Sequence, residues 1–448
     1  MSKPTSISSP LPSVVNMPTG VDFLPALARG LDNIFGEDLL SGLILLPTRR
    51  AIRDLSDAFT LYGDADGTSA RLLPSMRPLA DIDPDEPPFE PGDLASRVYP
   101  AISGLQRRFE LSRLVRKYYE NISGQELSPA VALTLADPLL RILDDVAMEG
   151  AGKLNLANLA EISDKAAMHF QTAAEFYKII QDFWPAHLSE MKRLDPMARR
   201  VALLDALTDQ WTQEPPDYPV IIAGSTGTLP ATARLMRCVK TLPKGLIVLP
   251  GLSTSMRSNA WETVKEDHPQ YSMKLLLEKL DTDFSKVKNF LDVADIRTEV
   301  EAKMNATALR ARRAVISESL VPVDATEEWL GRIDAIRGAF QTADAFDLAR
   351  DNFSLIEAED DDEEALSIAV IMRESLETPD KMTTLVTPDP ALARRVKSRL
   401  QRWGVTLDSS AGEPLEETPL GAFLSHCLRL VDDPYNPLFL SGLSLIHI

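Results

Sequence analysis

Apolar runs of strand length alternate with amphipathic helical segments in the first part of the chain. A strand is predicted near Val14–Met17, and Leu43–Leu46 is a continuous apolar run that ends at a proline. An apolar run of this length, closed by a turn residue, is typical of a parallel strand buried on both faces. The residues that follow place Ile52, Leu55 and Phe59 at helical spacing. This spacing predicts a helix directly behind the strand.

The same alternation continues on both sides of a long helical region. Further strands or extended segments are predicted over 71–79, Pro219–Ala223 and Gly245–Leu249, with a turn at Gly224–Gly227 and a helix over Pro230–Thr241. Strands that alternate with helices of this length favour a parallel α/β sheet.

The helical region between Leu94 and Trp211 has almost no clusters of β-branched residues. Its predicted helices cover Arg107–Tyr119, Pro129–Met148, Ala166–Lys192 and Pro196–Trp211. Asp195 stands directly before Pro196, which predicts an N-cap followed by a proline at the first helical position. We therefore predict an all-helical insertion in the first sheet lobe.

A second α/β unit is predicted to start at Phe353, after a charged helical stretch over 255–350. Its expected strands cover 353–357, 383–387 and 405–407, and its expected helices cover 361–377 and 389–403. The chain then ends on the apolar segment Ser441–Ile448. We therefore expect the sequence to be truncated within this unit.

The predicted fold class is α/β, with parallel-sheet lobes and a large all-helical insertion. The predicted organisation is a flexible tail over 1–20, a first lobe built from 21–93 and 215–300, a helical insertion over 94–214, a helical connector over 301–352 and the start of a second lobe over 353–448.

Charge and composition narrow the classes of partner. The chain has 47 Lys and Arg against 66 Asp and Glu, a formal net charge of −19. This excludes a uniformly basic coat for nucleic acid but leaves room for a local basic groove.

Two cysteines cannot build a disulfide framework, which fits a reducing compartment. No apolar run approaches the ~20 residues of a membrane-spanning helix, and the Ser- and Pro-rich start lacks the apolar core of a signal peptide. We expect a cytoplasmic protein that does not bind membranes.

Basic residues follow two of the predicted strands at the point where each strand ends. Thr48, Arg49 and Arg50 come after the first apolar run, and Arg394 and Arg395 lie in the helix after the middle strand of the second lobe. Open α/β sheets bind their ligands just outside the carboxyl ends of the strands. Arginine side chains placed there can bond to phosphate oxygens and so position a nucleic acid. We predict that these five residues bind nucleic acid.

The phosphate-binding loop of a nucleotide-hydrolysing sheet domain is missing at its expected position. That loop ends in Gly-Lys-Ser/Thr, because backbone donors and a lysine must offset the phosphate charge. Between the first strand and the first helix, this chain reads Asn16-Met-Pro-Thr-Gly-Val-Asp-Phe23, without a lysine. The acidic residue that would hold Mg²⁺ after a later strand is missing too, since that strand ends Ile221-Ile-Ala-Gly-Ser225. We predict an ATP-inactive lobe, with no catalytic or metal-binding residues suggested by the spacing of histidines and cysteines.

Seven stretches, spread over nearly the whole chain, carry a resemblance to a known family. They are Leu46–Ala51, Phe183–Leu188, Asp195–Arg200, Ala223–Thr232, Val248–Leu252, His268–Lys274 and Leu385–Gly412. Their order resembles a superfamily 1 helicase whose first RecA-like lobe is degenerate and interrupted by a helical subdomain. More closely, the chain resembles the AddB family of helicase–nuclease subunits, of the alphaproteobacterial type.

The resemblance implies a non-motor, helicase-like DNA-binding subunit of an AddAB helicase–nuclease that acts in double-strand break repair and recombination. The implied partners are an AddA-type helicase–nuclease subunit and single-stranded or duplex-end DNA. By resemblance, Thr48 and Arg49 fall where the first lobe contacts the single-strand backbone. Glu363 or Glu364, followed by Arg394, falls where active members reach the nucleotide phosphates; without a phosphate loop, this arginine would contact DNA or the partner instead.

The resemblance also bears on cofactors. The nuclease domain of the family, with its Mg²⁺ site and, in some members, an iron–sulfur cluster, would lie beyond Ile448. No cofactor is therefore expected within this sequence.

Two other classes of protein remain as alternatives. A doubly wound enzyme of another kind, similar to a nucleotide-sugar transferase, could use the same strand-end geometry. It would need an Asp-x-Asp pattern at a strand end, whereas Asp81-Ile-Asp83 lies in a Pro-rich loop. The third class is a scaffold protein without nucleic-acid contact, which the charge of −19 favours.

Overall fold

The computed structural model describes residues 11–64, 72–79, 98–124, 126–150, 183–302, 305–340, 344–379, 381–410, 412, 415 and 418–445. The chain divides into two compact units, Met1–Asp351 and Asn352–Ile448. The predicted acidic loop with Asp81-Ile-Asp83, and residues 166–182 of the third predicted insertion helix, lie outside the described residues.

The described residues of the first unit contain one six-stranded sheet in which all strands are parallel. The strand order is β3-β2-β4-β5-β1-β6. The strands are β1 (Val14–Met17), β2 (Leu43–Leu46), β3 (Ser75–Pro78), β4 (Val220–Ala223), β5 (Gly245–Pro250) and β6 (Lys288–Asn289). The predicted α/β fold class with a parallel sheet is confirmed.

Two details of the sheet differ from the sequence prediction. β1 is buried at every position and lies between β5 and β6, inside the segment predicted as a flexible tail over 1–20. The first lobe therefore begins earlier than residue 21. β6 was not predicted, because Lys288–Asn289 is short and polar and has no strand pattern of its own; it forms by pairing with β1.

Helices cover both faces of this sheet. In chain order, the named helices of the first unit, apart from a helical segment over 183–190, are α1 (Phe23–Phe35), α2 (Arg49–Asp64), α3 (Gly104–Ser123), α4 (Pro129–Glu149), α5 (Pro196–Gln213), α6 (Pro230–Thr241), α7 (Ser258–Glu262), α8 (Tyr271–Lys279), α9 (Phe290–Val293), α10 (Arg297–Ala302), α11 (Ala306–Ser319), α12 (Trp329–Gly338) and α13 (Ala345–Arg350).

Adjacent residues of the central strands face opposite layers. Ile221 of β4 packs in a core with residues of α1, α2 and α9, whereas Ile222 packs in a core with residues of α5, α6 and α8. A strand covered on both faces must be apolar at successive positions. This explains why the central strands are continuous apolar runs rather than alternating ones.

The helical insertion has a core of its own. Leu111 and Val115 of α3 pack with Ala132 and Ala136 of α4 and with Trp184, which lies in a helical segment over 183–190. α5 begins at Pro196 as predicted, but Asp195 does not cap it with its side chain. Its carboxylate accepts a hydrogen bond from the indole N–H of Trp184 at 2.7 Å and pairs with Arg107 instead.

The second unit is built around two helices. α14 (Asp361–Ser375) and α15 (Pro390–Gln401) pack through Ala365, Ala369, Leu392, Val396 and Leu400. α16 (Pro419–Asp432) and α17 (Pro437–Leu445) follow them.

The strands predicted over 353–357, 383–387 and 405–407 are wrong, since none of the described residues of the second unit forms a strand. Leu385 packs against the core of α14 and α15, while its neighbour Val386 is 89% exposed. This segment is extended, and its alternate residues pack on the helices α14 and α15. It therefore shows the alternating pattern of a strand although it does not pair with another strand.

Across the described residues of both units, no helix combines the length and the apolar character needed to cross a membrane.

Candidate functional site

The carboxyl ends of the six parallel strands lie at one edge of the sheet. Between β2 and β4, the direction in which successive strands are added to the sheet reverses. From β2 the chain moves outward to β3, whereas from β4 it moves the opposite way to β5. Connections that leave two adjacent strands in opposite directions open a crevice between them, where α/β proteins bind their ligands. The crevice between β2 and β4 is therefore the place where the topology predicts a site.

A cleft of about 170 Å³ lies at this point. Its lining comes from the loops after β2, β3 and β4 and from the helices α5 and α6. The residues are Pro47, Leu79, Arg200, Gly224, Ser225, Thr226, Thr228, Leu229 and Thr232. We call it the β2–β4 cleft.

The predicted first-lobe residues Thr48, Arg49 and Arg50 lie at the start of α2, directly after Pro47 of the cleft. The hydroxyl of Thr48 accepts a hydrogen bond from the N–H of Ala51 at 3.1 Å, so Thr48 caps α2. Arg49 and Arg50 are exposed in the first turn. The structure thus brings these three residues together at the start of α2. Thr48 stabilises the first turn of the helix, and Arg49 and Arg50 place two positive charges at the surface.

The loop after β4 carries hydroxyl groups where an ATP site would carry a carboxylate. Gly224 and Gly227 both have positive φ, at 74° and 57°. A Cβ at Gly227 would lie 2.5 Å from Cδ1 of Leu276, so a larger residue would require the side chain of Leu276 to shift. The hydroxyl of Ser225 accepts the N–H of Gly227 at 3.2 Å. This loop is held in a defined shape that presents serine and threonine side chains to the cleft.

The carboxyl end of β1, where a phosphate loop would stand, is covered by the chain itself. Nε of Arg313, on α11, donates to the carbonyl of Thr19 at 2.6 Å. The left-handed Gly20 lies so close to α11 that a Cβ there would be 2.8 Å from Leu309. The cavity that remains beside them is about 10 Å³, the space of about one water molecule. Part of the segment predicted as a connector over 301–352 therefore packs on the first lobe.

Burial lowers the pKa of Arg313, although the neighbouring carboxylate of Glu301 acts in the opposite direction. A guanidinium remains protonated at neutral pH even so. The chain thus places the positive charge of Arg313 beside the loop after β1, where a phosphate loop would stand.

A polar residue in the buried strand β1 fastens the next loop along the edge. The side-chain amide of Asn16 donates to the carbonyl of Leu252 at 2.9 Å and accepts its N–H at 2.8 Å. Both hydrogen bonds are buried. Asn16 therefore has a structural role that the sequence pattern did not predict.

None of the residues that line the β2–β4 cleft was predicted as a site residue, and Arg200 and Thr232 are two examples. Arg200, on α5, donates from Nη2 to the carbonyl of Leu79, and Thr232 lies in the first turn of α6. Both were visible only as members of longer matching stretches. A threonine shortly after a proline at a helix start is the one local signal that could have drawn attention to Thr232.

In the second unit, the predicted arginines belong to a helix that pairs with an acidic neighbour. Arg395 binds Asp361 at 2.9 Å, and Arg399, one turn further along α15, lies 3.2 Å from Asp362. Arg394 is exposed on the same helix. The first turn of α14 thus offsets part of the positive charge of α15.

The predicted carboxylates of the second lobe act locally. Glu363 accepts the N–H of Glu359 at 2.7 Å, and the N-cap Asp360 accepts the N–H groups of Asp362 and Glu363. Glu364 is exposed. These contacts stabilise the start of α14.

Among the described residues, no group of three or more histidine, cysteine, aspartate or glutamate side chains could hold a metal ion. A scan against protein-family models gives no match to this chain, and a search of curated proteins finds no significant match either.

Proposed function

We propose that this chain is a non-motor, helicase-like subunit that binds single-stranded DNA at the carboxyl edge of its parallel sheet. It would act in the cytoplasm, in an AddAB-type helicase–nuclease that processes double-strand breaks for repair and recombination. The proposal combines the sequence resemblance with one observation on the edge of the sheet. α11 fills the end of β1, while the β2–β4 cleft stays open beside the basic first turn of α2.

The charge distribution supports binding through phosphates rather than through bases. Arg49 and Arg50 are exposed at the start of α2, where the helix dipole also favours an anion. Contacts of this kind hold a strand in place without reading its sequence. Since the chain as a whole carries −19 charges, such binding depends on a local basic surface and should weaken steeply with salt.

The second unit has features that suit a protein partner, which we propose is an AddA-type subunit. Phe353, Leu355, Met382 and Val386 are all more than two-thirds exposed. Large apolar side chains at a surface are typical of protein interfaces when they lie together. In this proposal, Arg394 and Arg395 contribute to DNA or partner binding from their own unit.

The alternative of a doubly wound enzyme similar to a nucleotide-sugar transferase is disfavoured by the strand order. In the common orders of such folds, β1 is adjacent to β2, whereas here β4 and β5 separate these two strands. A scaffold without nucleic-acid contact remains the second candidate. The pairing of Arg395 and Arg399 with acidic residues of α14 favours it for the second unit.

The proposal is tested by titrating the chain against a fluorescent oligothymidine at several salt concentrations and following the anisotropy. The test variant carries Arg49→Ala and Arg50→Ala. A matched control, Arg108→Ala with Arg113→Ala, removes the same charge from exposed positions of α3.

We expect the test variant, and not the control, to bind more weakly. The slope of log K against log salt should flatten by about 0.7 for each phosphate contact that is lost. Equal effects of the two variants, or no binding by the unaltered chain, would contradict the proposal.

A further inference from the structure

In the second unit, the helix α15 leads into a tryptophan that lies at the surface. Trp403 is 46% exposed, whereas Trp184 and Trp211 are 0% and 5% exposed. The space beside Trp403 is open, since a Cβ on the next residue, Gly404, would meet no atom within 4 Å beyond its chain neighbours. Tryptophan has a large apolar surface and is enriched where proteins contact a partner. An indole in this position is available to a ligand.

The backbone around Trp403 is fixed by the turn that ends α15. The N–H of Gly404 donates to the carbonyl of Gln401 at 3.0 Å, and the N–H of Val405 donates to the carbonyl of Leu400 at 3.1 Å. Gly404 has a φ of 70°, so this turn is a Schellman motif. Leu400 and Val405 also pack in the core that α14 and α15 share. A residue presented by a fixed turn loses little conformational entropy when a ligand binds to it.

The segment around Trp403 is strongly basic. Residues 390–407 include no aspartate or glutamate, and their basic residues are Arg394, Arg395, Lys397, Arg399 and Arg402. In a chain with a net charge of −19, this is a local surface of opposite sign, which favours a polyanion as the ligand. Arg395, Arg399 and Arg402 follow each other at intervals of four and three residues, so they form one stripe along α15. Trp403 comes one turn after Arg399, at the end of this stripe.

Two arginines of the stripe have partners that an anion can replace. Arg395 lies 2.9 Å from Asp361, and Arg399 lies 3.2 Å from Asp362. Both aspartate side chains are 74% exposed. Exposed ion pairs of this kind contribute little to stability and are weakened by salt. A phosphate group can therefore compete with the aspartates for the two guanidinium groups.

An exposed indole at the end of a basic stripe fits a single-stranded nucleic acid. Basic side chains bind the phosphates of such a strand, and its bases stack on aromatic side chains. The bases of a duplex are paired and stacked on each other, so they do not reach an indole at the protein surface. A single nucleotide is too short for the stripe, which covers about 10 Å from Arg395 to Arg402 at 1.5 Å per helical residue.

We propose that Trp403 and the arginine stripe form a surface of the second unit that binds single-stranded DNA. One unpaired base stacks on the indole of Trp403, and Arg399 and Arg402 bind the adjacent phosphates. This inference rests on the proposed function for the identity of the strand as DNA. It concerns another unit than Arg49 and Arg50, however, so the two contacts are tested by separate variants.

The first measurement is the tryptophan fluorescence of the whole chain as the oligothymidine is added, because a base stacked on an indole quenches its emission. The chain has five tryptophans, so the signal is assigned with Trp403→Phe. Trp329→Phe is the matched control, since Trp329 is 41% exposed at the start of α12 in the first unit. We expect the quenching to be lost in Trp403→Phe and kept in Trp329→Phe.

The second measurement separates the bases from the phosphates. Anisotropy titrations compare the oligothymidine with an abasic strand of the same length, which has the same phosphates and no bases. Trp403→Ala should weaken oligothymidine binding by about five- to 150-fold, the effect of losing one stacked base, and should leave abasic-strand binding unchanged. Arg402→Ala should weaken the binding of both strands alike, because phosphate contacts do not depend on the bases.

Unchanged quenching in Trp403→Phe, or an equal loss for both strands in Trp403→Ala, overturns the stacking surface. Unchanged oligothymidine binding by Trp403→Ala overturns it too and leaves the exposed indole for a protein partner. A loss of binding in Trp403→Ala but not in Arg49→Ala with Arg50→Ala keeps this surface and removes the sheet edge from the proposed function, whereas the reverse result removes this surface alone. No binding of oligothymidine by the unaltered chain overturns both.

Discussion

Two neighbouring arginines of α3 each bind an aspartate, one pair in the interior and the other at the surface. The side chains of Arg107 and Asp195 are 7% and 11% exposed, whereas those of Arg108 and Asp137 are 45% and 37% exposed. Replacing Asp195 by alanine in one variant, and Asp137 by alanine in another, compares the same chemistry in two environments.

The expected loss for Asp195→Ala follows from the contacts that it breaks. The indole N–H of Trp184, which is fully buried, loses its acceptor at 2.7 Å, at a cost of about 1–3 kcal/mol. Arg107 also loses its ion pair with Asp195, in which Nε and Oδ1 lie 2.5 Å apart. Asp144, at 2.8 Å from Arg107, still offsets the charge. We expect a total of about 3–5 kcal/mol, as for other broken buried pairs.

Asp137→Ala should cost far less. Its two bonds to Arg108, both at 2.7 Å, lie in solvent, where such pairs contribute about 0.2–1 kcal/mol. Asp195→Asn keeps an acceptor for Trp184 and loses the charge, so it should fall between the two alanine variants.

The measurement is urea unfolding followed by circular dichroism, with amide hydrogen exchange to locate the change. A loss of stability without a change in the urea dependence shifts the midpoint alone. Faster exchange should be confined to α3, α4 and the start of α5, since these share the Arg107 contacts. Equal destabilisation by Asp137→Ala and Asp195→Ala would refute the reasoning that burial sets the strength of these pairs.

Further outcomes follow from other parts of the structure. Burial raises the pKa of Asp195, against the lowering effect of Arg107. The folded chain therefore holds the carboxyl proton of Asp195 more tightly than an unfolded chain does, where the pKa is about 3.9. The stability that protonated Asp195 contributes should be lost as the pH rises from about 4 through the pKa of the folded state. Asp195→Asn should lack this dependence in pH-resolved urea unfolding. Gly227→Ala should lower the melting temperature, since φ is 57° and the new Cβ would meet Leu276; an unchanged melting temperature would show that the loop can move. The purified chain should not hydrolyse ATP in a phosphate-release assay, and activity that follows the chain through purification would show that the site at β1 has been misread.

Local patterns were sufficient where a single segment contains its own signal. The apolar run of β2 ends at Pro47, and α6 begins at Pro230 and ends at Thr241, as predicted. Both boundaries depend on the restricted backbone of proline and on neighbours within a few residues. The same holds for the absence of a phosphate-loop lysine, which is a property of one short segment.

Tertiary structure decided the elements that depend on distant neighbours. The alternating residues around Leu385 are compatible with a strand and equally with an extended segment that packs on α14 and α15. Whether a strand forms depends on the presence of neighbouring strands to pair with, and not on the pattern itself. β6 is the opposite case, since pairing with β1 makes a strand of two polar residues.

The β2–β4 cleft shows the same division within one site. The sequence indicated that residues at the carboxyl ends of strands would matter, because parallel strands place those ends at one edge. It did not indicate that Pro47, Arg200 and Thr232 share a cleft, since this follows from the strand order, which sets β2 beside β4, and from the packing of α5 and α6 on the sheet. Each residue alone has an ordinary local role, and the cleft that they line together exists only after the fold has brought them to one place.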